Sequence, residues 1–300
     1  MLLVAGGTGF VGSAIVAELL SRGESVAVLG RSAEKIRQRW GDRVEAREGD
    51  VSRPETLAPA MSGIDIVINA VQFPTSPIEV RRKGWTFEEV DYKGTCNQVD
   101  AAQTAGVKRF VYVSGVGAAP GAEKHWFRYK WMAEQHLQKS GLAWTIVRPT
   151  WVFGEGDRSL NRLIGFSNVL PFVPMFGSGE QGMQPVFIDD VGRVVADAAL
   201  NPEAANQVFE LGGPQVMTMN EVLQTALDVM GRKRMILHQP VFVGKLAGTA
   251  AGLLPNPPLS ADAVDFINGG AVADNTNLER VLQPRLTLLR EGLSTYLGRR

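Results

Sequence analysis

Gly6, Gly9 and Gly12 follow directly on the apolar run Leu2-Leu3-Val4-Ala5 and lead into an amphipathic stretch. That order reads strand, tight turn, helix. Missing side chains let the backbone turn sharply, let a pyrophosphate approach the main chain, and let the helix pack closely on the strand. The helix start then offers unpaired N–H groups and the positive end of its dipole to the phosphates. This context predicts a dinucleotide site rather than an ordinary glycine-rich turn. Thr8, Phe10 and Val11, inside the same turn, are assigned to the cofactor with the three glycines.

The residue type after the second strand discriminates between the two nicotinamide dinucleotides. An NAD site carries Asp or Glu there, to hold the ribose hydroxyls. This chain reads Val28-Leu29-Gly30-Arg31-Ser32, without a carboxylate. A guanidinium at Arg31 pairs with a 2′-phosphate in a bidentate fork, which favours NADP(H) over NAD(H), with Lys35 as a helper. The competing reading of Arg31 is a solvated arginine at a helix start. Gly49-Asp50-Val51 follows the third expected strand and Ile68-Asn69-Ala70-Val71 ends the fourth. Ala70 is small enough for close approach of a ligand, and Asp50 taken alone reads as a turn or helix cap.

These residues need a scaffold, and the hydrophobic pattern supplies one. From residue 2 to 149 apolar strands alternate with helical periods, as in a parallel sheet covered on both faces. Val11, Ile15 and Leu19 give the first helix its buried stripe, and Gly23 ends it. Further strands are expected at 25–29, 44–48, 65–70, 109–114 and 144–148, the last ended by Pro149. Helices are expected at 54–61, 87–105 and 123–139. Residues 151–185 read as loop with short elements, 186–200 as strand to helix, 207–211 as a strand, and 221–230 and 284–297 as helices. The expected fold class is α/β, a doubly wound parallel (Rossmann) sheet with a smaller C-terminal α/β lobe. Residues 1–150 plus about 186–212 would form the NADP(H)-binding domain, and about 151–185 and 213–300 the substrate or partner lobe.

Composition narrows the function classes. In 300 residues, 31 Lys+Arg balance 31 Asp+Glu, so no charge excess points to nucleic acid. The single cysteine, Cys96, makes no intramolecular disulfide and has no metal ligands near it in sequence. No secretory signal is expected ahead of the first strand, and the expected compartment is the cytoplasm. Residues 241–254 are too short to span a membrane and are followed by Pro255-Asn-Pro-Pro258; a buried or substrate-lining helix is expected, with peripheral membrane contact as the alternative.

The spacing Gly6-x-x-Gly9-x-x-Gly12 differs from G-x-G-x-x-G and resembles the extended and atypical short-chain dehydrogenase/reductases, over at least residues 1–215. The resemblance implies that Asp50 contacts the adenine and that Val51, Ala70 and Val71 lie along the cofactor. Such enzymes use a serine after the fifth strand and a Tyr-x-x-x-Lys pair on the next helix. Val113-Ser114-Gly115 matches the serine, and Lys130 followed by Glu134 matches the helix. Four residues before Lys130, however, stands Trp126. An indole does not move a proton as a phenol does. Tyr129 is one residue from Lys130 and points about 100° around the helix from it.

Three explanations remain open. Lys130 acts as the general acid/base itself, as the resemblance to isoflavone-reductase-like members implies. Alternatively, His125 or Tyr92 reaches the nicotinamide; or the site binds cofactor without turnover. The resemblance makes Lys130 a ribose anchor in each case, and Ser114 a substrate or nicotinamide contact. In Glu89-Val90-Asp91-Tyr92-Lys93-Gly94-Thr95, Asp91 stands where the family commonly has asparagine. The segment Val147-Arg148-Pro149-Thr150 resembles the stretch whose backbone meets the nicotinamide carboxamide, which assigns Pro149 and Thr150 to the cofactor. Arg148 and Asp190 read as structural ion-pair members.

The wording around Trp126 and Lys130 is similar to a subgroup containing the accessory NADPH-binding subunit of respiratory complex I and NmrA-like proteins. If enough of Trp126, Trp131, Trp151, Phe153, Phe166, Phe172 and Phe176 line the cleft, the substrate is an apolar carbonyl or quinone-type compound. The rival expectation is a non-catalytic redox sensor, or a respiratory or quinone-pathway accessory protein, that holds a partner through its C-terminal lobe.

Overall fold

The computed structural model describes residues 1–251 and 260–298. Strands β1 (Leu2–Ala5), β2 (Val26–Gly30), β3 (Glu45–Glu48), β4 (Ile66–Asn69), β5 (Arg109–Val113) and β6 (Ala143–Pro149) are followed by the short β7 (Val152–Phe153), β8 (Phe172–Phe176), β9 (Gly182–Met183) and β10 (Val186–Phe187). Then come β11 (Gln207–Leu211), β12 (Met217–Thr218) and β13 (Met235–Gln239). Seven strands form one sheet in the order β11-β6-β5-β4-β1-β2-β3, with every pair parallel. The chain runs outward from β1 through β2 to β3, then restarts at β4 on the other side of β1. That reversal opens a crevice at the carboxyl ends of β1 and β4, where doubly wound sheets bind ligands.

Helices α1 (Phe10–Ser21), α2 (Ala33–Trp40), α3 (Leu57–Ala60), α4 (Gly94–Thr104), α5 (His125–Gln138), α6 (Leu160–Gly165) and α7 (Ile188–Leu200) cover the sheet or flank the crevice. β1 is buried at all four positions, so its side chains alternate between two apolar layers. On one face Val4, Val28, Ile68 and Val111 pack against Ile15 and Leu19 of α1, Ile36 and Trp40 of α2, and Val191, Val194 and Val195 of α7. On the other, Leu3, Ala5, Val67, Phe110 and Tyr112 meet Leu57, Val99, Ala102, Ala133 and Leu137. Each such fully buried aliphatic side chain stabilises the fold by roughly 1.5–3 kcal/mol. The architecture is the expected doubly wound Rossmann-type sheet.

The C-terminal lobe adds α8 (Met219–Val229), α9 (Val241–Ala251), α10 (Ala261–Asn268), α11 (Thr276–Val281) and α12 (Leu289–Ser294). Helix α8 starts on a capping box, in which Thr218 and Glu221 satisfy each other's free N–H groups. Its Val222, Leu223, Ala226 and Leu227 pack with Leu163, Ile164, Val173, Met175 and Leu293 in a third apolar cluster.

Three elements differ from expectation. The expected helix 87–105 begins as a seven-residue π-helical segment, Phe87–Lys93, before α4 takes over at Gly94. The expected helix 284–297 shrinks to α12, because Asp190 accepts hydrogen bonds from the backbone N–H (2.6 Å) and hydroxyl (2.8 Å) of Thr287 and holds that stretch non-helical. Strand β13 pairs with β8 although its sequence, Met-Ile-Leu-His-Gln, lacks a buried face. Helix α9 exposes Phe242 and Leu246; the remainder of the apolar stretch, Leu253 and Leu254, and Pro255-Asn-Pro-Pro258 lie outside the described residues. Among the described residues no helix is long and apolar enough to cross a membrane.

Candidate functional site

One cavity of about 1710 Å³ follows the crevice and runs out between the lobes. That exceeds the ~300–1,000 Å³ of a site for a single drug-sized ligand. Its wall includes Gly6, Thr8, Gly9, Phe10, Val11, Arg31, Asp50, Val51, Ala70, Val71, Ser114, Lys130, Pro149 and Thr150. Gly12 lies immediately behind that wall. A Cβ there would sit 2.2 Å from the carbonyl oxygen of Gly6, and one on Gly6 would lie 2.8 Å from the carbonyl oxygen of Ala70. Gly6 also takes φ +80°, a conformation open to glycine and strained for other residues. The first intrahelical bond of α1 runs from Ser13 N–H to Gly9 O, so the N–H groups of Phe10, Val11 and Gly12 precede it. No acidic side chain occupies that turn. Backbone donors, dipole and cleared space together fit a diphosphate.

At the end of the cavity beside β2, Arg31 and Arg39 line the wall, and Lys35 is not in it. The Lys35 backbone N–H instead donates to the capping Ser32 hydroxyl. The second cation is Arg39, which sequence reasoning missed. Its guanidinium lies over the Trp40 ring, 5.6 Å from the centroid, and the Trp40 indole N–H donates to Gly7 O at 3.0 Å. Trp40 thus ties α2 beneath the glycine turn. Asp50 lines the cavity while one of its oxygens accepts from the Ser52 N–H (3.0 Å) and hydroxyl (2.7 Å). The buried Asn69 donates to Thr95 Oγ1 and accepts from the Val71 N–H, which sets the path of Ala70 and Val71.

Ser114 and Lys130 come together at the other end. The Ser114 N–H continues the sheet to Val147 O at 2.8 Å, while its buried hydroxyl has no hydrogen-bond partner. A Cβ on Gly115 would lie 3.5 Å from Lys130 Cδ, so the lysine stem runs along that turn. Lys130 Nζ stands 3.6 Å from Oδ1 of Asp91 and 5.8 Å from the Tyr112 ring centroid. Asp91 is 1% exposed. Burial pushes its carboxyl up to about 6, against the pull of Lys130, and repulsion from Glu79 adds to the rise. Pro149 O accepts from the Val116 N–H and the Thr150 N–H donates to Leu211 O, so both backbone groups already serve the fold. Asp157 also lines the cavity and is pushed up to about 6 by burial, although the Ser159 and Leu160 N–H groups donate to it.

Trp126 lies in the wall, packed with Phe73 and Phe87 and with its indole N–H unpartnered. His125 and Tyr92 do not line the cavity. The His125 ring is set edge-on between Phe87 and Tyr129, and Tyr92 stacks on Tyr129 at 6.0 Å. The Tyr129 hydroxyl donates to Glu88. Of the aromatics expected around the cleft, Trp126 and Trp151 line it, whereas Trp131, Phe153, Phe166, Phe172 and Phe176 do not. Phe153, for example, packs against Phe187 in the core of the second lobe. Phe10, Phe73, Trp85, Phe87, Phe127 and Phe266 line the cavity in their place. Their positions depend on loop and lobe packing that periodicity does not reveal. Arg148 makes a two-pronged pair with the buried Glu134, at 2.9 and 2.5 Å, and Asp190 pairs with Arg193; both are structural contacts.

The family model for NAD(P)H-binding proteins matches residues 6–202. An NAD(P)H azoreductase from Xenophilus azovorans is 29% identical over 279 residues, covering 91% of this chain and 88% of that protein. The mitochondrial NADH-ubiquinone oxidoreductase 40 kDa subunit of Neurospora crassa is 29% identical over 269 residues, covering 87% of this chain and 69% of the subunit. Among solved structures, Escherichia coli NADPH-dependent quinone oxidoreductase QOR2 in complex with NADPH superposes with a TM-score of 0.77 at 18% identity, over 98% of this chain and 99% of that one. At that identity the likeness is one of fold.

Proposed function

The chain belongs to the NAD(P)H-binding family, and from that premise we propose that it is an NADP(H)-dependent reductase of apolar carbonyl or quinone-type compounds, with Lys130 as its proton donor. The observation that carries this reading is the pairing of a cationic adenosine end with a lysine at an aromatic-walled chamber. Arg31 and Arg39 would hold the 2′-phosphate, where an NAD site would carry a carboxylate. The glycine turn and the first turn of α1 would hold the diphosphate, with Asp50, Val51, Ala70 and Val71 along the adenosine and Pro149 and Thr150 near the nicotinamide. When bound, the reduced nicotinamide supplies a hydride.

Lys130 would deliver the accompanying proton to the substrate oxygen, yielding an alcohol or a hydroquinone, and would contact the ribose in the same position. The unpartnered Ser114 hydroxyl would donate to that oxygen and orient it. The surrounding aromatic side chains exclude water and favour an apolar substrate. The relatedness to an NAD(P)H azoreductase and the fold shared with a quinone oxidoreductase support a redox role on such compounds.

NADPH oxidation measured against a panel of quinones and hydrophobic ketones tests the reading. Turnover is expected with the apolar acceptors. Lys130→Ala should lower it by roughly 10²–10⁴-fold, as for loss of a general acid, while NADPH binding persists. Reaction with small polar carbonyls alone, or undiminished turnover in Lys130→Ala, would overturn it. Trp126 in place of a tyrosine supports a second reading, a non-catalytic NADPH-binding accessory protein, in keeping with the relatedness to a subunit of NADH-ubiquinone oxidoreductase. That reading requires NADPH binding without turnover on any acceptor.

A further inference from the structure

We propose that Asp91 is the positioning residue of Lys130: its buried carboxylate holds the Lys130 amine at the cavity wall against Gly115. The role rests on the reading of Lys130 as the acid, and it assigns work to a residue whose family counterpart, an asparagine, carries no charge.

The placement comes from the π-helical segment Phe87–Lys93, in which the wider turn carries Asp91 within the wall of the fold. The Thr95 hydroxyl donates to the Asp91 carbonyl at 2.6 Å and fixes the backbone there. Neither side-chain oxygen of Asp91 has a hydrogen-bond partner, and Lys130 Nζ, 3.6 Å away, is the cation facing it. A carboxylate so placed is expensive to bury, and the facing charge of Lys130 is the main interaction that offsets the cost. The other groups facing the pair come from three elements. Glu79 lies on the loop after β4 and repels Asp91; the Phe73 N–H from the same loop favours it. Tyr112 on β5 presents its ring to Lys130, and its hydroxyl, buried and unpartnered, stays protonated because burial and the nearby Asp91 and Glu134 raise it. Glu134, on the same helix as Lys130, is committed to Arg148. Asp91 is therefore the carboxylate that fixes the place of Lys130 Nζ.

An opposite charge at this range lowers a carboxyl titration by about one to three pH units. Carbon-detected NMR titration of the cofactor-free protein, with the Asp91 carboxyl assigned through its own backbone, should show the Asp91 midpoint rising by that amount in Lys130→Met, where the cation that lowers it is gone. An unmoved carboxyl overturns the proposal. In the turnover assay Asp91→Asn should lower kcat by about tenfold or more with KM little changed, because a displaced amine costs the chemical step rather than substrate binding; an undiminished kcat in folded Asp91→Asn overturns the proposal. A shifted Asp91 carboxyl in a Lys130→Met protein that turns over like wild type keeps the pair and removes Lys130 from the role of acid.

Discussion

Gly12→Ala tests the geometry of the glycine turn most severely. The added Cβ would lie 2.2 Å from Gly6 O, 2.6 Å from Gly6 C and 3.0 Å from Gly7 Cα. All three are backbone atoms, so no side chain can swing aside, and either α1 or the turn must move by roughly an ångström to reach ordinary contact. Overpacking of this kind costs about 1–3 kcal/mol of stability. The same displacement misaligns the N–H groups of Phe10, Val11 and Gly12 relative to the diphosphate. Losing one charge-assisted hydrogen bond is worth about 1.5–3 kcal/mol, so NADPH should bind roughly ten- to a hundredfold more weakly. Fluorescence titration with NADPH reads the affinity and urea denaturation the stability. Gly165, at the end of α6, has helical dihedrals (φ −57°, ψ −31°) and no atom near its Cβ position. Gly165→Ala should leave NADPH binding intact and stabilise by up to about 1 kcal/mol. A Gly12→Ala protein with wild-type affinity and wild-type stability would refute the close approach of α1 to the turn.

Arg31→Ala and Arg39→Ala should each weaken NADPH binding by about tenfold or more while leaving NADH binding nearly unchanged, since the guanidinium serves the 2′-phosphate alone; equal losses for both nucleotides would assign the arginines elsewhere. Glu134→Ala removes both prongs of the Glu134–Arg148 pair and leaves Arg148 with Glu210 at 3.9 Å, so it should destabilise by roughly 1.5–3 kcal/mol, read by urea denaturation; no measurable loss would mean the pair is dispensable. Asp157 carries a folded-state pKa raised from 3.8 to about 6, so the fold binds its proton more tightly than the unfolded chain and stability from this group is lost as pH rises from about 4 through 6. The stability difference between Asp157→Asn and wild type should therefore move in favour of the variant by about 2 kcal/mol between pH 4 and 7; a difference independent of pH would contradict the buried carboxyl.

The sheet was legible in the sequence because its inner strands β1, β2, β4 and β5 are largely buried on both faces and read as apolar runs, and because Gly6, Gly9 and Gly12 mark the turn between the first run and the first helix. Ile15 and Leu19 are fully buried, as their spacing requires. Arg31 was readable from a missing carboxylate at a known position. Arg39 was not: its place depends on Trp40 folding under Gly7, a contact across the sheet edge that no local period encodes. Asp91 was visible as an exchange for asparagine, but its meaning required the π-helical turn, whose extra residue per turn leaves no trace in the hydrophobic pattern. The aromatic wall was misjudged for the same reason. Phe73 and Trp85 sit on a loop, Phe87 at the start of the π-helical segment and Phe266 on a helix of the other lobe; all are placed by tertiary packing, with the Phe266 ring 6.3 Å from Trp126. β13 has three of five residues exposed and pairs with β8 through backbone hydrogen bonds rather than through a buried face.

The Arg31 side of the crevice should select the 2′-phosphorylated dinucleotide. Calorimetric titration of the unmodified protein with NADPH, and separately with NADH, measures this without recourse to any substrate. Saturation by one NADPH per chain, at least tenfold tighter than NADH, is the predicted result. Heat of binding absent for NADPH in well-folded protein, or tighter binding of NADH, would contradict it.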